Sequence, residues 1–95
     1  NKTFDRIARD INRTMDNLLI TVVARELDEH LGQHREHYGR GGWFNPTVCS
    51  RGDLAESLRH AVLSDDYLSV IAYASFLYMR NKLGLDRLNK KPISE

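Results

Sequence analysis

The sequence predicts an all-α domain: a long N-terminal helix, a glycine-rich loop, and a helical hairpin with a buried central helix. Three observations carry this. Apolar residues recur at steps of three and four at Phe4, Ile7, Ile11, Met15, Leu18, Leu19, Val22, Val23 and Leu27, with no Pro or Gly among them. Residues 66–83, DYLSVIAYASFLYMRNKL, are apolar on every side of a helix; between positions 68 and 79 only Ser69 and Ser75 lack substantial apolar surface. No stretch alternates apolar and polar residues as a half-buried strand does. A helix apolar all round is buried or crosses a membrane. At about 12 residues this run falls short of the roughly 20 that a bilayer requires, so it is read as the centre of a small core.

Thr3 or Asp5 can cap the first helix, whose polar face carries Arg6, Arg9, Asp10, Arg13, Asp16 and Asn17. The stripe defines a helix over about 3–31, roughly 40 Å long. Gly32 either ends it, giving a helix pair up to 37, or is absorbed at a cost of about 1 kcal/mol. So long a helix on so small a domain either protrudes or packs along a partner subunit, and the partner is the favoured reading. Residues 38–49 hold three glycines and a proline without helical period and read as loop. Trp43 and Phe44 are too apolar to stay in water, so the loop is expected to fold back on the core.

Ser50 with Asp53 is a variant capping box opening a helix with inner face Leu54, Leu58, Ala61 and Val62, ending near Leu63. Ser64 or Asp65 is expected to cap the central helix, completing a hairpin over 50–83, and Gly84 suits its C-terminal end. Residues 84–95 read as a polar, frayed tail. One helix and one hairpin cannot enclose 68–79, so the single domain, 1–95, is expected to be completed as a homodimeric, four-helix-like bundle.

Composition narrows the function classes. Apolar residues at 41% and charged residues at 28% belong to a folded soluble domain. Fourteen basic and 13 acidic side chains leave +1, without the basic excess of a nucleic-acid binder. The lone Cys49 cannot form an internal disulfide and fits a reducing compartment. The N-terminal residues carry no apolar signal segment, and no membrane span is expected. The reading is cytoplasmic.

Glu26, His30 and His34 share a helical face, with His37 three residues on. His at i and i+4 can chelate a divalent metal, and Cys49 and His60 could complete the set if the loop folds back. The order of Glu29 and His30 gives no H-E-x-x-H signature. The plainer reading is a solvated helix end with histidines beside Glu26, Glu29 and Glu36.

Gly41, Gly42 and Trp43, followed by a helix and then by Asp66, Val70, Ala72, Ala74, Leu77 and Met79, form a second pattern. Over residues 38–83 this resembles the small phage-borne relatives of the all-α MazG-like nucleotide pyrophosphohydrolases. The resemblance implies a Mg²⁺ site from E-x-x-E on one helix and E-x-x-D on the next, since i, i+3 carboxylates share a face and supply hard oxygen ligands. This chain reads Glu56-Ser57-Leu58-Arg59 and Asp66-Tyr67-Leu68-Ser69. Each pair keeps its first acid and loses its second, and Arg59 brings a cation where a ligand is required. Glu56 and Asp66 are therefore read as remnants.

Arg35, Arg40 and Arg51 surround the Gly-Gly-Trp loop, so Arg40, Trp43 and Arg51 form a possible ligand-binding set for phosphate or a stacked base; the bland reading is a charged rim around a plugged core. Tyr67, Tyr73 and Tyr78 could mark a ligand pocket, but tyrosines at helical spacing more often pack at core edges with the hydroxyl in water. The expected function is a non-catalytic binding protein, phage- or prophage-encoded, with a host protein or a nucleotide as target. One alternative is a Mg-dependent nucleoside triphosphate pyrophosphohydrolase. Another is a DNA-associated accessory protein using the first helix's arginines with Arg80, Lys82, Arg87, Lys90 and Lys91.

Overall fold

The computed structural model describes residues 1–38 and 42–88, without the side chains of His37, Tyr38 and Leu88. Among them the structure is entirely helical outside turns and the loop: α1 spans Lys2–Tyr38, α2 Arg51–Leu63, α3 Tyr67–Leu83 and α4 Leu85–Leu88. No helix among the described residues is long and apolar enough to cross a membrane. The predicted architecture of long helix, loop and hairpin is present. The molecule is elongated, 65 × 35 × 23 Å, because α1 extends far beyond the hairpin.

α1 passes through Gly32 without a break. Its N-terminal cap is Asn1 rather than Thr3 or Asp5: the Asn1 Oδ1 accepts from the Phe4 amide at 3.0 Å. That satisfies one of the donors orphaned at a helix start. Two apolar faces run along α1. Val23, Leu27, His30, Leu31 and His34 are half-buried, in the part of the helix that meets the hairpin. The stripe that begins at Phe4 lies roughly a third of a turn round the helix from them. Its side chains stay in solvent, from 48% exposed at Ile7 to 69% at Phe4.

The hairpin begins at Ser50, whose Oγ accepts from the Asp53 amide at 3.0 Å. α2 ends in a turn with Asp65 in the left-handed region, φ 57, which a short polar side chain tolerates. The Asp66 amide there donates to the Ala61 carbonyl at 3.0 Å. Asp66, not Ser64 or Asp65, caps α3: its carboxylate accepts from the Ser69 amide and hydroxyl. Three consecutive residues could each cap, and only the turn decides among them. Gly84 ends α3 at φ 65, where a glycine is favoured.

The core is small. Leu54, Ala61 and Ala72 are its fully buried apolar residues, where α2 crosses α3. Tyr67, Tyr78 and Leu83 of α3 remain exposed, so the hairpin and α1 leave the central helix partly uncovered.

Beside the core lies a buried cation. Arg80 has no exposed surface, so it cannot serve as a DNA-contacting arginine. Its guanidinium donates to the Cys49 carbonyl at 2.6 Å, the Trp43 carbonyl at 3.3 Å and the Asp86 carboxylate. Asp86 also accepts from Arg51 at 3.0 Å. One arginine thus ties the loop to α3 and, through Asp86, to the start of α2 and to α4. Lys90 and Lys91 lie outside the described residues.

Candidate functional site: an aromatic cleft beside a divided acidic pair

The loop is held against α3 by aromatic packing. Trp43 stacks on Phe76 with ring centroids 5.2 Å apart and planes 9° from parallel. Phe44 and Tyr73 meet this pair edge-on, at 5.7 Å and 6.0 Å. Such ring pairs stabilise by about 0.5–1.5 kcal/mol beyond the area they bury. Asn45 shapes the loop beneath them: its carbonyl accepts from the Val48 and Cys49 amides, and its side chain from the Thr47 amide. A Cβ on Gly42 would sit 2.7 Å from Val48 Cγ1, so a larger residue there would force Val48 to shift.

Between this loop, the C-terminal half of α1 and the hairpin lies a cleft of about 580 Å³. Trp43, Phe44, Tyr73 and Phe76 give it aromatic walls, and His30, His34 and Arg35 face it from α1. Asp53 and Ser57 border it from α2, and Cys49 from the loop. Its walls are largely apolar with a few polar groups, the usual make-up of a small-molecule site.

The residues singled out from sequence divide between this cleft and other places. His30 and His34 lie together, rings T-shaped at 4.6 Å, with Cys49 in the same cleft. His60 instead borders a shallower hollow with Asp66 and Ser69. Among the described residues no three of His, Cys, Asp and Glu are grouped so as to hold a metal ion. Trp43 forms a wall. Arg51 is drawn to Asp86 and is not among the residues lining the cleft. Arg40 lies outside the described residues.

Glu56 and Asp66 each have a task of their own. The Glu56 carboxylate accepts from Arg59 Nη2 at 2.8 Å, with His60 Nε2 3.7 Å away. Arg59 holds the Glu56 carboxyl below its ordinary range, first by hydrogen bond and then by charge. Asp66 is likewise held low, by the Ser69 hydroxyl and amide foremost, with a lesser contribution from the charge of His30. Arg59 thus stands at the position of the missing second acid and occupies the first. The hydroxyl of Ser69 does the same for Asp66.

Phe76, read only as part of an apolar helix, and Asp53, read only as a cap, emerge as cleft residues, and Tyr73, read as a core-edge tyrosine over a pocket marker, lines the cleft as well. Nothing local marks them, since the cleft is assembled from four separate segments. The chain matches no protein-family model, no curated protein and no solved structure.

Proposed function

We propose that this chain is a small non-catalytic binding protein of the MazG-like, phage-borne type with its metal site lost. It works in the cytoplasm as a dimeric bundle, with a nucleotide or a host protein as target. One observation carries the non-catalytic part: Glu56 is ion-paired with Arg59, and Asp66 caps α3 through Ser69. A Mg²⁺ ion needs near-octahedral oxygen ligands, and only two of the four carboxylates that the resemblance implies are present, each already engaged by a neighbouring side chain. The cleft favours the nucleotide as target. Its volume lies within the range of about 300–1,000 Å³ that small ligands occupy. The aromatic rings around Trp43 offer a face for a base, and Arg35 at the rim offers charge-assisted hydrogen bonds to phosphate.

The test is calorimetric titration with Mg²⁺ and a panel of nucleoside triphosphates, following pyrophosphate release in the same samples. Saturable binding without release, weakened at least tenfold by Trp43→Ala, is the expected result. Turnover that disappears in Glu56→Ala and Asp66→Ala would restore the enzyme. Absence of both heat and turnover would leave the protein target, to be sought in host lysate.

A further inference from the structure

The stripe of α1 that begins at Phe4, exposed as far as Leu18 and half-buried at Val22, has an internal symmetry. Phe4, Ala8, Ile11, Met15, Leu18 and Val22 are separated by 4, 3, 4, 3 and 4 residues, the spacing of a coiled-coil seam and a palindrome about position 13. Reversing the helix therefore places Phe4 opposite Val22, Ala8 opposite Leu18 and Ile11 opposite Met15. Large residues meet smaller ones at two of the three levels, as interdigitating layers require. A parallel pairing would set Ala8 against Ala8 and Phe4 against Phe4, leaving a void at one level and crowding at another.

The seam's borders carry almost no charge. Ile7, Thr14 and Thr21 run along one edge, and Asp5, Asn12 and Leu19 along the other. Arg6, Arg9, Asp10, Arg13 and Asp16 project from the far side of the helix, so two copies meet without like charges across the contact. Antiparallel pairing also opposes the two helix dipoles. Past Val22 the same face turns charged, at Arg25, Glu26 and Glu29, which ends the seam.

The area is sufficient. Phe4, Ile7, Ile11, Met15, Leu18 and Leu19 are each about half exposed or more, on the order of 100 Å² apiece. Two copies would cover about 1,200 Å², the lower bound of a specific, stable interface. We propose that residues 4–22 of α1 pair antiparallel with the same segment of a second copy across a two-fold axis near Arg13. This deepens the dimeric reading above and rests on it, but is independent of what the cleft binds. The occupant is a second copy and not a bilayer surface: residues 1–20 carry four basic and three acidic side chains, short of the strongly cationic face that anionic lipid attracts.

Sedimentation velocity on the full chain at 1–100 μM is expected to show a monomer–dimer equilibrium. Ile11→Lys with Leu18→Lys should raise its dissociation constant at least about a hundredfold, since the dimer must then bury unpaired charges. Orientation is read in a Cys49→Ser background under mild oxidation. Thr14→Cys lies beside the two-fold axis and should form a disulfide-linked dimer. Ala8→Cys should not, because the two copies' position 8 would stand about 15 Å apart along the axis. Cross-linking at position 8 and not at 14 would overturn the antiparallel pairing. A dimer indifferent to the two lysines would overturn the seam while leaving the dimeric reading intact. A wild-type monomer at 100 μM, whether or not it binds anionic phosphatidylserine vesicles, would overturn both.

Discussion

The two halves of α1 obey the same periodicity and meet opposite fates. Val23, Leu27 and Leu31 are half-buried in the C-terminal half, where α1 is held against the hairpin and the folded-back loop. Phe4, Ile11 and Leu18 carry as much apolar surface and remain in water. The difference lies in where the hairpin is attached, not in hydrophobicity. Residues 42–50 return the chain only to the near end of the helix, and α2 and α3, at 13 and 17 residues, are too short to follow α1 along its length. The same periodicity thus marks an apolar face in both halves, and the reach of the hairpin decides which of them this chain covers itself.

The largest effect should come from the buried cation on the hairpin side. Arg80→Met removes a guanidinium with no exposed surface, takes the donor from two loop carbonyls and leaves Asp86 with Arg51 alone. Breaking such a buried pair costs about 3–5 kcal/mol, measurable by urea denaturation. Arg80 also holds the Asp86 carboxyl below its ordinary value, chiefly by hydrogen bonding. A carboxyl with a lowered folded-state pKa stabilises fully above its unfolded value, and the contribution is lost as pH falls through the folded one. Wild-type stability should therefore decline below about pH 4, and Asp86→Asn should flatten that acid limb.

A medium-sized effect isolates the contrast itself. Leu54→Ala, at a fully buried site, should cost about 2–4 kcal/mol. Leu18→Ala, just over half exposed, should change stability by no more than about 0.5 kcal/mol where the protein is monomeric. If the dimer forms, the Leu18 penalty should grow with protein concentration while that of Leu54 does not. Equal penalties at all concentrations would mean that the monomer itself covers the stripe.

What could be read in the sequence was local. The long helix, the cap at Ser50, the return of Trp43 to the core and the glycine ending α3 all follow from a few neighbouring residues. Arg80 did not, because an arginine in the last turn of a helix usually complements the dipole from the surface. Its burial depends on two loop carbonyls more than 30 positions earlier and on an aspartate beyond Gly84. The cap of α3 was displaced because Ser64, Asp65 and Asp66 have similar capping preferences, and the left-handed Asp65 consumes one of them in the turn. Of the cleft, sequence singled out His30, His34, Arg35, Trp43 and Cys49, and offered Tyr73 as a pocket residue only beside the plainer core-edge reading. Tyr73 and Phe76 form its far wall only because the loop packs on them.

The smallest effect bears most directly on chemistry. Glu56 is exposed and paired with an equally exposed Arg59, so a single substitution there should scarcely move stability. Its titration is more telling. With Arg59 as the main cause of its lowered pKa, Arg59→Ala should move the Glu56 midpoint upward, followed through the side-chain carboxyl carbon by NMR. Millimolar Mg²⁺ should leave the wild-type midpoint unchanged while Arg59 holds the carboxylate. A Mg²⁺-induced fall in the Arg59→Ala variant alone would mean that the arginine has displaced an ion the fold can still bind. A fall in the wild type would show Arg59 yielding to the metal, and would return Glu56 to the role that the resemblance implies.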